Sequence, residues 1–225
     1  MHYITKGNVI LLHKKSATFI AEVSVDTFIG EVEKYLSTLS VGPLLNRGIA
    51  ERYSKAISEL SLTGQVKVLT GQTAPTGLSA TPTFFVGDWK VISSTPELLE
   101  EHFGPTTVLA IADEADYVEI ARSLEGQLTA TIHGNSSDKV KPLIVELSER
   151  AGRVIWNAFP TGVSVTAAMN HGGQWPASSS HTTSVGTDAI YRFMRPVSYQ
   201  GFDQTNLPEP LQDANPWSVP QEING

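Results

Sequence analysis

The chain contains no cysteine. That single absence removes disulfides, thiolate metal sites, CxxC redox chemistry and every cysteine nucleophile. It also lacks a basic face. Sixteen Lys and Arg stand against twenty-three Asp and Glu, for a net charge of −7, and the densest cationic pair is Lys14-Lys15. A phosphate-backbone binder needs clustered cations, so nucleic acid is not an expected partner. No apolar run approaches the roughly 18 residues that span a bilayer. The first residues, Met1 to Lys6, have no charged stretch leading into a long apolar core. No membrane association and a cytoplasmic location are therefore expected.

Familiar cradles and triads are missing too. There is no GxGxxG and no GxxxxGK[ST]. No GxSxG elbow occurs, because Gly162-Val163-Ser164-Val165-Thr166 lacks its last glycine. His171-Gly172-Gly173 resembles the oxyanion loop of lipases but follows, rather than precedes, any candidate serine. The six histidines show no metal-ligand spacing, so no metal site is expected.

What is present reads as one sizeable α/β domain. Of the 225 residues, 40% are hydrophobic and 17% charged, which suits a folded core. Strands are expected at Asn8–Leu12, Val66–Leu69, Pro82–Val86, Val108–Ile111, Leu128–His133 and Val154–Trp156. Helical spacing joins Phe28, Ile29, Val32, Tyr35, Leu36 and Leu39, and then Ile49, Tyr53, Ala56, Ile57 and Leu60 behind an Asn46 cap, with Gly64 as the stop. Tyr117, Val118, Ile120, Ala121 and Leu124 mark a third helix. Val140, Leu143, Ile144 and Leu147 mark a fourth, with Ser136 or Ser137 as cap, Pro142 in the first turn and Gly152 at C′. The alternation predicts a mostly parallel sheet with helices on both faces. Residues 1–160 form this domain. Residues 161–225 are rich in proline and glycine, with one helical stretch near Thr187–Met194, and read as an extended arm packing on the domain or a neighbouring subunit through residues such as Trp175, Phe202 and Trp217.

Ser136-Ser137-Asp138-Lys139 matches SxxK, in which Lys139 would deprotonate Ser136 one helical turn away; a helix start explains the same letters. Glu100-Glu101 before His102-Phe103-Gly104-Pro105 is a less common arrangement, a carboxylate pair followed by a segment whose backbone direction is fixed.

This segment resembles one of the aldehyde dehydrogenase family. So do Gly152-Arg153-Val154-Ile155-Trp156-Asn157, Pro160-Thr161-Gly162-Val163, Met169-Asn170-His171-Gly172-Gly173, Thr183-Ser184-Val185-Gly186-Thr187, Arg192-Phe193, Arg195-Pro196-Val197 and Leu211-Gln212-Asp213-Ala214-Asn215-Pro216. The resemblance covers essentially the whole chain, is tightest from about residue 97, and points to the NADP-dependent branch acting on α-ketoglutaric semialdehyde. It implies the catalytic-domain half of that fold. Glu101 would hydrogen-bond the nicotinamide ribose, Phe103 would pack beside it, and His171 would fall in a pocket-lining segment. It also implies a departure. Family chemistry begins with a cysteine thiolate, and the position nearest to it here is Ile4. The family's base glutamate and dinucleotide-binding part would lie upstream. The expectation is a truncated dehydrogenase with no cofactor held by this chain alone and no oxidoreductase activity of its own. It would be partnered by a second copy or by the missing nucleotide-binding half. The alternatives are an ester hydrolase using Ser136, Lys139 or His171, and one half of a two-chain dehydrogenase.

Overall fold

A computed structural model of the chain describes residues 25–73, 77–160 and 162–222, and the backbone alone of 3–6 and 9–13; Gly7, Asn8, Lys14-Lys15 and Thr161 lie outside the described residues. The chain falls into two compact units, 1–189 and 190–225. The sequence changes character earlier, near residue 160.

In the first unit seven strands form one sheet in the order β3-β4-β5-β2-β1-β6-β7. These are β1 Tyr3–Lys6, β2 Val9–His13, β3 Lys67–Thr70, β4 Thr83–Asp88, β5 Thr106–Ala112, β6 Ala130–His133 and β7 Val154–Trp156. Parallel ladders join β2 to β5, β4 to β5 and β6 to β7. Antiparallel ladders join β3 to β4 and β1 to both β2 and β6, so five strands run one way and β1 and β3 oppose them. The mostly parallel α/β sheet read from the alternation is present. The hairpin strand β1, between β2 and β6, is an addition, since the periodicity marks no strand before Asn8.

Alternation along β4 and β5 divides the core into two layers. Phe85, Val108, Ala110 and Ala112 face a cluster with Leu60, Ile92, Tyr117, Ile120, Leu143 and Leu147, drawn from α2 (Arg47–Leu62), α3 (Trp89–Ser93), α4 (Tyr117–Ser123) and α5 (Lys141–Arg150). Val86 and Leu109 face the other way, onto Ile29 and Leu36 of α1 (Val25–Leu36) and Leu69 of β3. Helices therefore cover both faces, as expected.

Local signals act where the sequence puts them, with two corrections. The Asn46 side chain accepts from Ile49 N–H at 2.9 Å, and Gly64, at φ 66°, follows the last turn of α2. Pro142 sits in the first turn of α5. Ser136 and Ser137 do not cap that helix, which begins later, behind Val140, and has no side-chain cap. Asp138 closes a turn of its own instead: its carboxylate accepts from Asn135 N–H, and its N–H returns to the Asn135 carbonyl. Tyr35, placed on the inward face by spacing, is 71% exposed.

Gly152 does follow α5, but without a positive φ. Its missing side chain serves a close approach, because a β-carbon there would lie 1.9 Å from the Gly172 carbonyl oxygen. Gly173 and Gly126 meet the same constraint against the carbonyls of Gln127 and Trp175. Backbone thus packs on backbone where residues 170–176 cross the entrances to β6 and β7, and the Asn170 amide adds a bond to the Gly152 carbonyl at 2.9 Å. This packing accounts for Gly173 without an oxyanion role, whereas Gly172 contributes its carbonyl and has room for a β-carbon of its own.

In the second unit no described residue is buried. It is held by local bonds: the Trp217 indole donates to Glu209 at 2.7 Å, and the Asn215 side chain brackets Val219. Phe193, Phe202 and Trp217 remain exposed.

Three stability outcomes follow. Gly173→Ala is expected to cost about 1–3 kcal/mol, since the Gln127 carbonyl is backbone and cannot swing away. Gly30→Ala, in the exposed interior of α1 with open space at its β-carbon, is expected to stabilise by about 0.5–1 kcal/mol. Urea unfolding of each variant checks both. Burial also holds the His133 imidazole below its ordinary value of 6.5, with its ring 5.6 Å from that of Phe159. The folded state therefore favours the neutral ring. Its contribution is fully present above pH 6.5 and is lost as pH falls through the depressed folded value. His133→Phe should flatten that part of the urea midpoint measured against pH.

Candidate functional site

Two stretches that lead into parallel strands enclose a cavity of about 560 Å³. Residues 98–106 precede and enter β5, and residues 125–129 precede β6. Its floor includes Leu98, Leu99 and Val108, and its rim carries Glu100, Glu101, His102 and Glu125. The cavity thus opens at the N-terminal ends of the strands, opposite the end at which open α/β sheets usually bind ligands. Helix α4 stops at this end, at Ser123 just before Glu125. Partial negative charge from a helix C-terminus adds to three carboxylates.

Geometry here follows from the helix–loop contact beneath it. Tyr53 of α2 is buried, and its ring lies against Gly104, where a β-carbon would come within 2.2 Å of Cδ2. The Tyr53 hydroxyl sits 2.7 Å from the Thr81 carbonyl and 3.2 Å from the Pro105 carbonyl, and it accepts from the Thr106 hydroxyl at 3.1 Å. Burial pushes the phenol above its ordinary range, against a smaller opposing effect from the Thr106 and Thr83 hydroxyls, so it stays a donor. The Pro105 carbonyl also accepts from Thr83 N–H at 2.9 Å, and the Gly104 carbonyl accepts from Thr106 N–H at 2.8 Å. The glycine and proline of Glu100–Pro105 are therefore fixed from below. Upstream, the His102 ring reaches the Glu97 carbonyl at 2.9 Å. Glu101 and Phe103 project outward, Phe103 with 67% of its surface exposed.

Of the sequence-derived candidates, Glu101 lines the cavity, and Phe103 stands in the same loop. Ile4 lies in β1, its backbone paired with Leu11 and Ile132. Ser136 and Lys139 are exposed outside any helix, so the one-turn spacing that SxxK needs is not formed. His171 is held by its backbone: its N–H donates to the Thr183 hydroxyl at 2.8 Å, and its carbonyl accepts from Ser184. Among the described residues, Ser178 and Ser180 bond to neighbouring carbonyl and hydroxyl groups, not to an imidazole ring. No group of three or more metal-ligating side chains occurs among the described residues. No helix there is long and apolar enough to cross a membrane. Tyr53, read from spacing only as a core residue, was the participant that sequence reasoning missed; nothing in its neighbourhood marks a hydroxyl that binds carbonyls 28 and 52 residues away.

The fold is of the aldehyde dehydrogenase type, and the chain belongs to the aldehyde dehydrogenase family, whose model matches residues 5–198. Among characterised relatives, an alpha-ketoglutaric semialdehyde dehydrogenase of Acinetobacter baylyi is 44% identical over 188 residues, which is 81% of this chain and 36% of the relative. Alpha-ketoglutaric semialdehyde dehydrogenase 2 of Azospirillum brasilense is 36% identical over 206 residues, covering 89% of this chain and 39% of the relative. The chain thus spans little more than a third of their length. Solved structures share the fold. An aldehyde dehydrogenase from Bacillus cereus superposes with a TM-score of 0.67 at 21% identity, over 84% of this chain and 37% of that one. An indole-3-acetaldehyde dehydrogenase from P. syringae, in complex with NAD+ and IAA, superposes with a TM-score of 0.63 at 20% identity, over 84% and 37%.

The family uses NAD(P), and the residues here suit only one end of such a molecule. Glu101 offers a carboxylate to a vicinal diol, and Phe103 offers an apolar face. The diphosphate has no cradle, because Glu100, Glu101, Glu125 and a helix C-terminus would repel it. A whole dinucleotide does not fit these residues alone.

Tyr53 and Gly104 should be strongly coupled. Gly104→Ala is expected to destabilise by about 1–3 kcal/mol in the parent and by much less in a Tyr53→Ala background, where the ring is gone. A double-mutant cycle in urea checks this, and simple additivity would show that the contact carries no such constraint.

Proposed function

We propose that this chain is the catalytic-domain part of an aldehyde dehydrogenase of the α-ketoglutaric semialdehyde type, and that alone it oxidises no aldehyde. Identity of 44% to such an enzyme supports the substrate class. The absence of cysteine carries the second half of the proposal. Family chemistry starts with thiolate attack on the aldehyde carbon, and neither isoleucine nor any other side chain here reproduces a cysteine thiolate. NADP, the cofactor of the branch resembled, would supply hydride acceptance in a complete enzyme. This chain's own part would be narrower: Glu101 would accept hydrogen bonds from the nicotinamide ribose, and Phe103 would shield one side of that group from water.

Retention of an outward-facing Glu101 and Phe103 beside an open cavity favours a second arm to this reading, in which the chain works with a separate nucleotide-binding half. Residues 161–225 then act as the arm of the assembly, and the exposed Phe193, Phe202 and Trp217 are covered by a second copy. A cytoplasmic location accompanies this reading.

The test is NADPH formation from NADP and α-ketoglutaric semialdehyde by the purified chain. No formation is expected, and a rate that tracks the polypeptide through purification would overturn the proposal. p-Nitrophenyl acetate hydrolysis belongs in the same experiment, with Ser136→Ala and His171→Ala variants. Hydrolysis at the buffer rate is expected in all three proteins, whereas turnover lost in one variant would make the chain a hydrolase.

A further inference from the structure

We propose that Tyr53 is a positioning residue for Glu101 and Phe103, acting through the backbone of Gly104 and Pro105; the inference rests on the reading of those two side chains as facing the nicotinamide end of the cofactor. Neither Glu101 nor Phe103 has a hydrogen bond or ion pair of its own among the described residues, and both are exposed. Their direction is therefore inherited from the backbone that follows them. That backbone is gripped at two points by one side chain. The Tyr53 ring seats Gly104, at a distance no β-carbon would tolerate. Its hydroxyl meets the Pro105 carbonyl at 3.2 Å and the Thr81 carbonyl at 2.7 Å, tying the loop to the entrance of β4.

The hydroxyl is itself aimed. The Thr106 hydroxyl donates to it at 3.1 Å, which leaves its proton for the two carbonyls. Thr83 N–H and Thr106 N–H, bonded to the Pro105 and Gly104 carbonyls, report on the same segment from the strand side. Helix α2 thus sets the angle at which the loop leaves the sheet, although it contributes nothing to the cavity wall.

The test uses the full chain and nicotinamide riboside, a cationic probe without phosphate that suits an acidic rim. In Tyr53→Phe, which keeps the ring on Gly104 but loses the hydroxyl, amide exchange at Thr83 and Thr106 should speed up about fivefold, the equivalent of one ordinary hydrogen bond. Exchange at Ala130, whose amide bonds to Arg153 across the sheet, should not change. Titration with the riboside should move the Glu101–Gly104 amide signals in the parent and show affinity weakened about fivefold in the variant. Thr106→Val, which removes the donor that aims the phenol, should give the same pattern at smaller amplitude and serves if Tyr53→Phe does not fold. Exchange that rises equally at Ala130, or does not rise at Thr83 and Thr106, would reduce Tyr53 to ordinary core packing. A loosened loop with unchanged riboside affinity would also overturn the proposal. Silence of the Glu101–Gly104 signals in the parent would instead overturn the assignment of Glu101 and Phe103.

Discussion

Burial of β5 on both faces is the constraint from which the rest of the first unit follows. Val108, Ala110 and Ala112 serve one apolar cluster, and Leu109 serves the other, so the strand can neither slip by one residue nor turn over without emptying both layers. β4 is held in step beside it, with Phe85 and Val86 dividing between the same clusters. Once β5 is pinned, its entrance is pinned, and that entrance is the Glu100–Pro105 loop. A rigid strand therefore explains why a loop with two exposed, unpartnered side chains has a defined geometry at all.

A second consequence concerns where the cavity sits. Because its walls are strand entrances, α4 reaches it with its C-terminus, and the residue that follows on the rim is Glu125. The electrostatics suit a carboxylate–diol contact and a cationic ring better than a diphosphate. On the proposed reading, the chain would carry the nicotinamide end of a cofactor site without the end that supplies most of a dinucleotide's grip. That division agrees with a chain that spans little more than a third of its relatives. Nearby, close backbone crossings at Gly126, Gly152 and Gly173 fasten residues 170–176 over the neighbouring entrances, so this edge is built from glycine and carbonyl contacts rather than from large side chains.

Much of this was legible from the amino acids alone. Apolar spacing located α1, α2, α4, α5 and most strands, since a side chain's period depends on its own helix or strand and not on distant partners, whereas the five-residue α3 is too short to show a period. Asn46 and Gly64 announced the ends of α2, because capping is a contact between residues a few positions apart. Where a local rule had two solutions, the sequence misled: Ser136 and Ser137 have the chemistry of caps, yet they lie in a turn closed by Asp138 and α5 starts later, at Lys141. The absence of cysteine, and with it the loss of thiolate chemistry, needed no structure.

Only the tertiary structure decided which exposed residues share a surface and what fixes them. Glu101 and Glu125 are 24 positions apart, and nothing in either neighbourhood says that they rim one cavity. Tyr53 has the same spacing signal as any core residue; its role depends on carbonyls at Thr81 and Pro105 that arrive from other strands. Chain order already spoke against an oxyanion loop at His171-Gly172-Gly173, but only the fold shows Gln127 and Gly152 pressed against its glycines. Composition and periodicity report what one segment does by itself. Close approach between distant segments is a property of the packed chain, and here that packing shapes the site.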